Sequence, residues 1–199
     1  GIIQETYKEK TLEVLQNHPY QLIEDIDGIG FKTADELALK LGGSKESPER
    51  LKAAVLYSVK RGCFDSGSTY MLYDEIKKAY HKNIGYIDES VFNEYLEILV
   101  DEGFVIQEGE LYYDKELYDS EEIISSFLKK INSYPEEHYD EKEVGRLLTN
   151  FQDKFGIEYS KKQKEAIDYF LKYPMMILTG GPGTGKTTTV KALIRMYRS

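Results

Sequence analysis

Cysteine, proline and tryptophan are scarce in this chain, which has one cysteine, five prolines and no tryptophan. Because Cys63 is the single cysteine, an intramolecular disulfide and a cysteine-based zinc site are excluded, and a reducing compartment is favoured. The histidines His18, His81 and His138 are far apart in sequence. We therefore expect no metal cluster built from cysteine and histidine.

Long hydrophobic runs are also absent. No stretch of eighteen apolar residues occurs, which argues against a transmembrane helix. The N-terminus lacks the basic and then apolar pattern of a signal peptide. The composition, 41% hydrophobic and 31% charged over 199 residues, is typical of a globular protein with one or two domains. We therefore expect a cytoplasmic protein with no membrane partner.

The net charge of -9 is unevenly distributed along the chain. Residues 1–100 carry 12 basic and 17 acidic side chains, residues 101–145 carry 4 and 14, and residues 146–199 carry 10 and 4. The acidity is therefore concentrated in the middle, and the C-terminal quarter is basic. Bulk charge will not steer the whole chain onto nucleic acid, but a local contact remains possible.

Apolar spacing and turn residues divide the chain into mostly helical segments. Ser47 and Pro48 begin one helix, and residues 62–69 form a Gly/Ser-rich loop. Two helices over 71–81 and 89–101, followed by a hairpin, have the order of a winged-helix unit. The remaining predicted elements are helices over 5–16, 19–24, 32–41, 120–131, 160–172 and 187–197, hairpin strands over 104–107 and 110–113, an acidic linker over 134–143, and a buried strand over 175–178.

The strongest functional pattern is a glycine-rich loop. Gly180-Gly181-Pro182-Gly183-Thr184-Gly185-Lys186-Thr187 matches G-x-x-x-x-G-K-[ST] in full, between an apolar run and a helix. Glycines let successive N–H groups point at phosphate oxygens, and the helix N-terminus adds positive potential. Lys186 would reach the β- and γ-phosphates and Thr187 would ligate Mg²⁺, with Thr188 beside it. The pattern predicts an ATP and Mg²⁺ site.

Two further patterns resemble a known family. Gln163 lies seventeen residues before Gly180, within Tyr159-Ser160-Lys161-Lys162-Gln163, which resembles the Q-motif of superfamily 1 helicases. Ile26-Asp27-Gly28-Ile29-Gly30-Phe31-Lys32 resembles a helix-hairpin-helix, and Pro19-Tyr20-Gln21-Leu22, Ser47-Pro48-Glu49-Arg50-Leu51 and Gly67-Ser68-Thr69-Tyr70 are similar to the N-terminal extension of RecD-like (RecD/TraA) DNA helicases.

This resemblance implies a fold class, an activity and site residues. The fold would be mainly α, with a helix-hairpin-helix and winged-helix-like extension before an incomplete RecA-like P-loop α/β segment. The expected regions are 1–62, 63–145 and 146–199. The family implies ATP-dependent translocation on single-stranded DNA and duplex unwinding, with the Gln163 amide reading adenine. The first residue, Gly1, and the end at Ser199 indicate a fragment, which we expect to bind nucleotide without hydrolysing it.

The role of the hairpin turn is left open by the sequence. Gly28, Ile29 and Gly30 would offer backbone N–H groups to a DNA phosphate, with Lys32 as a charge partner. The carboxylates of Glu24, Asp25, Asp27, Asp35 and Glu36 surround the turn and would repel that phosphate. A DNA contact, to single-stranded DNA or a tailed duplex, and a purely structural role are equally compatible with the pattern.

The acidic middle of the chain favours protein contacts over DNA contacts. Glu108 and Glu110 would lie at the tip of the predicted hairpin, where a winged helix would need positive charge to approach DNA. The predicted winged helix is therefore interpreted as a packing module or protein-contact surface. The 101–145 charge run is interpreted as a solvated face or linker, through which protein contacts are possible. Two functions remain: a RecD-like DNA helicase in repair or recombination, or a DNA- or protein-docking module of a non-motor P-loop ATPase.

Overall fold

The computed structural model describes residues 1–85 and 88–197 and is mainly helical. It divides into two compact units, Gly1–Glu121 and Glu122–Ser199. Short 3-10 segments cover Lys8–Lys10 and Pro19–Gln21. The helices are α1 Ile2–Tyr7, α2 Thr11–Asn17, α3 Leu22–Asp25, α4 Phe31–Lys40, α5 Pro48–Ser66, α6 Tyr73–Ile84, α7 Glu89–Asp101, α8 Lys115–Asn132, α9 Glu141–Phe155, α10 Lys161–Lys172 and α11 Lys186–Tyr197; the strands are β1 Tyr70–Leu72, β2 Val105–Glu108 and β3 Leu111–Asp114.

The helix α5 begins where the sequence predicts and ends later. The Ser47 hydroxyl accepts a hydrogen bond from the Arg50 N–H at 3.2 Å, and Pro48 occupies the first turn. The helix continues to Ser66, so the prediction of a loop over 62–66 is wrong. Gly62 lies inside the helix, at a position where a Cβ would be 2.0 Å from the Met71 sulfur. This glycine therefore serves close packing and does not mark a turn.

The sheet has the order β1-β3-β2, and both pairings are antiparallel. The hairpin strands β2 and β3 confirm the sequence prediction to within one residue at each end. The strand β1 was not predicted from the sequence, and the predicted start of the following helix at residue 71 is two residues early. Three residues are too few to show an alternating pattern. The pairing of Tyr70 with Tyr113, whose rings lie 5.5 Å apart, comes from contacts distant in sequence.

One hydrophobic core serves the whole first unit. Phe31, Ala54, Ile76, Phe92 and Val105 are almost completely buried and belong to a single cluster. These side chains come from α4, α5, α6, α7 and β2. The predicted regions 1–62 and 63–145 therefore share a core over most of their length. The helix α5, which runs from the first region into the second, contributes side chains to this core.

The second unit packs α9, α10 and α11 around a smaller cluster that includes Tyr159, Ile167 and Leu193. The helix α9 occupies the end of the predicted linker, where the Asp140 carboxylate accepts a hydrogen bond from the Lys142 N–H at 2.9 Å. The acidic residues there cap a helix and face its positive end. The predicted strand Met175–Leu178 is wrong: the segment has no strand partner in the described residues, and Ile177 is 80% exposed.

Candidate nucleotide site and candidate nucleic-acid hairpin

The glycine-rich loop leads directly into α11. Gly183 and Gly185 have φ values of +74° and +81°, which L side chains rarely adopt. A Cβ on Gly185 would lie 2.3 Å from the Gln163 side-chain nitrogen, and a Cβ on Gly180 would lie 2.8 Å from the Thr184 hydroxyl. The loop therefore depends on glycine both for its backbone conformation and for its close contacts.

The polar side chains of the loop are turned inward. The Lys186 ammonium donates hydrogen bonds to the carbonyl oxygens of Gly180 and, at 2.7 Å, of Gly181. The Thr184 hydroxyl donates to the same Gly181 oxygen at 2.9 Å. The loop is compact because one lysine spans it. A phosphate oxygen is a stronger acceptor for an ammonium group than a neutral carbonyl oxygen is, so these contacts can be exchanged for phosphate contacts.

The remaining loop residues line the start of α11. Thr187 lies in the first turn with an exposed side chain, and Thr188 is half-buried. Pro182 and Gly183 form the exposed turn at the tip of the loop. The Thr189 N–H donates to the Gly185 oxygen at 3.0 Å, which fixes the first turn of the helix behind the loop. The positive end of α11 therefore lies next to the loop.

Gln163 is brought against the loop. Its side-chain N–H donates to the Gly185 carbonyl oxygen at 3.3 Å, and its side-chain oxygen accepts from the Ser160 N–H at 2.9 Å. The Ser160 hydroxyl in turn accepts from the Gln163 N–H at 3.3 Å, which completes a capping box at the start of α10. Gln163 thus contacts the loop directly at Gly185, which is 22 residues further along the chain.

The turn before α4 combines a glycine in the left-handed region with a glycine N-cap. Gly28 has a φ of +87°, and Gly30 is the N-cap of α4. The Ile29 N–H already donates to the Ile26 oxygen at 3.1 Å, and the Ile29 side chain packs against the core. Among the described residues, the N–H groups of Gly28 and Gly30 have no backbone acceptor, and neither does that of Phe31, a residue not predicted from the sequence. Lys32 lies in the first turn of α4 and is exposed.

A buried ion pair lies beneath this turn. The Asp35 carboxylate accepts from the Arg50 guanidinium at 2.7 and 2.8 Å and from the Tyr20 hydroxyl at 2.7 Å. The hydrogen bond to Asp35 raises the pKa of Arg50, and burial together with Asp35 raises that of Tyr20. Asp35 is therefore a structural carboxylate. The sequence analysis counted it among the charges that repel phosphate, which is wrong because Arg50 neutralises it.

The other carboxylates around the turn are partly engaged. Glu24 pairs with Lys60 at 2.8 Å, and Asp25 accepts from the Tyr7 hydroxyl at 2.8 Å. Burial, and then that hydrogen bond, raise the pKa of Tyr7 to about 12. Asp27 and Glu36 are exposed. The negative potential at the turn is thus smaller than the five carboxylates in the sequence suggest.

Within residues 1–85 and 88–197, no three side chains of the His, Cys, Asp or Glu types come together as a metal site. No helix in the same residues is long and apolar enough to span a membrane.

Family models match both ends of the chain. Residues 2–70 match the family described as the ATP-dependent RecD2 DNA helicase HHH domain, and residues 163–199 match an AAA domain. The chain is therefore RecD-like. Its N-terminal region is a helix-hairpin-helix region of the RecD2 kind, which confirms the resemblance inferred from the sequence.

Individual relatives agree with this assignment. The chain is 26% identical to the ATP-dependent RecD2 DNA helicase of Deinococcus radiodurans, over 94% of this chain and 27% of that protein. It is 34% identical to the RecBCD enzyme subunit RecD of Haemophilus influenzae, over 44% of this chain and 14% of that protein. It is 29% identical to an uncharacterised protein of Methanocaldococcus jannaschii, over 98% of this chain and 20% of that protein. The chain thus spans about a quarter or less of these relatives.

Proposed function

We propose that this RecD-like chain supplies the nucleotide-binding loop and the N-terminal extension of an ATP-dependent DNA helicase. The observation that carries the proposal is the contact between the Gln163 side chain and Gly185 of the loop. A chance glycine-rich turn would not need a glutamine from a separate helix beside it. The amide can donate and accept, which suits both the adenine amino group and its ring nitrogen.

Each part of the loop would contact a different part of the bound nucleotide. Backbone N–H groups of the 180–185 loop would hold the phosphates, Lys186 would bind the β- and γ-phosphates, and Thr187 would ligate Mg²⁺. A Mg²⁺ ion held there would neutralise part of the phosphate charge. For the adenine role, Gln163 would exchange its contact with Gly185 for contacts with the base. The described residues hold no second acidic ligand at the loop, so we expect binding without hydrolysis by this chain.

Nucleotide binding is tested directly with a fluorescent ATP analogue and the 199-residue chain. We expect saturable, Mg²⁺-dependent binding that Lys186→Ala weakens at least tenfold, because a charge-assisted contact to phosphate is lost. Lys164→Ala, an exposed lysine on α10, is the matched control and should change affinity less than twofold. Gln163→Ala should weaken the binding of ATP more than the binding of GTP. Equal effects of the two lysine variants would contradict the assignment of the loop.

The helicase proposal needs a protein of the relatives' length that carries this chain. We expect DNA-stimulated ATP hydrolysis and directional unwinding, both abolished by Lys186→Ala. Unwinding separates this function from the alternative, a docking module of a non-motor P-loop ATPase. Nucleotide-controlled partner binding without strand separation would support that alternative and reject the helicase. Normal stimulated turnover in the Lys186→Ala variant would reject both.

The helix-hairpin-helix turn is proposed to hold a DNA phosphate. Support comes from the N–H groups of Gly28, Gly30 and Phe31, which have no backbone acceptor among the described residues, and from the pairing of Asp35 with Arg50. Anisotropy with labelled single-stranded DNA and tailed duplex across a salt series tests this. Lys32→Ala should weaken binding and lower the salt dependence by about one phosphate contact, whereas Lys40→Ala at the far end of α4 should not. Identical behaviour of the two variants would make the turn a scaffold.

The α5 to β3 region is proposed to be a winged-helix-like protein-contact module. Its order of elements, α5-β1-α6-α7-β2-β3, supports a winged-helix arrangement. Its outward face is acidic, since Glu94, Glu97 and Asp101 on α7 and Glu108 and Glu110 at the hairpin are exposed. A DNA duplex would meet like charge there. This favours protein contacts within the acidic 101–145 region and its neighbours.

A further inference from the structure

A cleft separates the β2–β3 hairpin from α6 and α7. It consists of two adjoining cavities of about 430 and 300 Å³ that share Tyr73, Gln107 and Tyr112. The carboxylate side chains along it are Asp74, Glu97 and Glu110. We call this feature the wing cleft. Its combined size is within the range of cavities that hold specific ligands.

The floor of the wing cleft is ordered by its own hydrogen bonds. The Tyr73 hydroxyl donates to the Asn93 side-chain oxygen at 2.7 Å, and the Tyr73 ring packs edge-on against Phe92. The Gln107 amide donates to the Tyr112 hydroxyl and to the Gly109 oxygen, both at 3.1 Å. Both tyrosines are half-buried, and the Lys77 ammonium already lies 5.9 Å over the Tyr73 ring centroid. Tyr112 is therefore the ring that the cleft offers to a second cation.

The charge along the wing cleft is of one sign. Asp74, Glu97 and Glu110 come from α6, α7 and the hairpin turn, and all three are exposed and outside any ion pair in the described part of the chain. No lysine or arginine lines either cavity within the same residues. Lys77, one turn along α6 from Asp74, is held by Glu89 at 2.6 Å, lies 5.9 Å over the Tyr73 ring centroid and interacts electrostatically with Asp74. Glu97 and Glu110, which no ion pair in the described residues engages, therefore keep their charge for a ligand.

These features together select a cationic peptide. We propose that the wing cleft is a docking site for an extended, arginine- or lysine-bearing peptide segment of a partner protein. Guanidinium groups stack on tyrosine rings and pair with carboxylates in the same geometry. A DNA backbone would instead place phosphates beside three carboxylates. The inference rests on the proposed protein-contact role of this region and adds the place and the chemistry of the contact.

The test uses the whole 199-residue chain and a labelled octapeptide of alternating arginine and alanine. The same peptide with citrulline in place of arginine is the probe control, because citrulline keeps the shape and removes the charge. We expect arginine-dependent binding by anisotropy. The triple variant Asp74→Asn, Glu97→Gln, Glu110→Gln should weaken it about tenfold. The matched variant Glu5→Gln, Glu9→Gln, Glu13→Gln, with the same change in net charge at exposed positions of the first two helices and the turn between them, should weaken it less than twofold.

Amide chemical shifts locate the peptide. We expect the largest changes at Glu97, Gln107 and Gly109, and Tyr112→Ala should weaken binding while the hairpin amides stay dispersed. Equal loss in the two triple variants, shifts confined to other acidic segments, or stronger binding of single-stranded DNA at the same amides would overturn the proposal. The cleft variant should keep its affinity for ATP. A failure in the cleft therefore leaves the nucleotide proposal untouched, and the reverse also holds.

Discussion

The buried Asp35–Arg50 pair predicts a large loss of stability when its acidic member is removed. In Asp35→Ala, Arg50, which is 6% exposed in the native chain, would remain charged, and the Lys45 carbonyl oxygen at 2.9 Å would be its one remaining hydrogen-bond partner among the described residues. Leaving one member of a buried pair unmatched costs about 3–5 kcal/mol. The Tyr20 hydroxyl would lose its acceptor as well. Against a typical total of about 5–15 kcal/mol, the first unit would become marginal.

Hydrogen exchange read by mass spectrometry is the suitable assay, because it reports on α4 and α5 separately from the second unit. Protection at the centre of α5 should fall by between about 10² and 10⁴, since each 1.4 kcal/mol corresponds to a factor of ten. Tyr20→Phe should cost about 1 kcal/mol, the usual net value of one hydrogen bond. Asp27→Ala, an exposed carboxylate of the same turn, is the control and should stay within about 0.5 kcal/mol.

The double variant Asp35→Leu, Arg50→Met makes the reasoning refutable. Replacing both charges with apolar groups removes the unmatched guanidinium, so the double variant should be more stable than Asp35→Ala alone. If it is as unstable as Asp35→Ala or less stable, packing and not charge explains the loss. If Asp35→Ala and Asp27→Ala lower the free energy of unfolding equally, the ion pair contributes nothing to stability.

Three further predictions concern single positions. Burial raises the pKa of Asp114 in the folded chain despite the nearby Lys60. As pH rises, the unfolded chain loses this proton first, so the stability that the group contributes falls between its unfolded pKa and its folded pKa. Asp114→Asn should therefore stabilise the chain at pH 7 and have no effect near pH 3, as measured by urea unfolding. Gly28→Ala should cost about 1–2 kcal/mol because of its φ of +87°, whereas Gly145→Ala inside α9, with open space at its Cβ, should stabilise by about 0.5–1 kcal/mol in thermal melts. Amides of Met175–Leu178 should exchange nearly unprotected, unlike those of α10, since no ladder holds them.

The local parts of the fold were predictable because their determinants are adjacent in sequence. Ser47-Pro48 specifies the start of α5, and Glu108-Gly109 between apolar runs specifies the hairpin. These two features depend on a few neighbouring residues whose backbone preferences are strong. The adenine role of Gln163 is implied by a resemblance and stays a prediction, and the contact of its side chain with Gly185 was not predicted.

The features that were missed depend on pairs distant in sequence. Asp35 and Arg50 each resemble an ordinary surface charge until α4 and α5 pack together and bury both. The strand β1 exists because β3, some forty residues later, pairs with it. The acidic start of α9 resembles a linker because carboxylates serve equally well in solvated segments and in helix first turns. Composition alone cannot separate such alternatives.

Met175–Leu178 shows why an apolar run does not by itself make a strand. The run has the composition of a buried parallel strand, yet Ile177 is 80% exposed and the segment has no partner in the described residues. A strand is defined by hydrogen bonds to a neighbour, and an isolated one leaves its N–H and C=O groups to water. The glycine-rich loop nevertheless keeps its contacts, since Gly180, Gly181 and Gly185 are held by Lys186, Thr184 and Gln163. The loop therefore owes its shape to its own side chains and to α10 and α11, and nucleotide binding can be tested without a formed sheet.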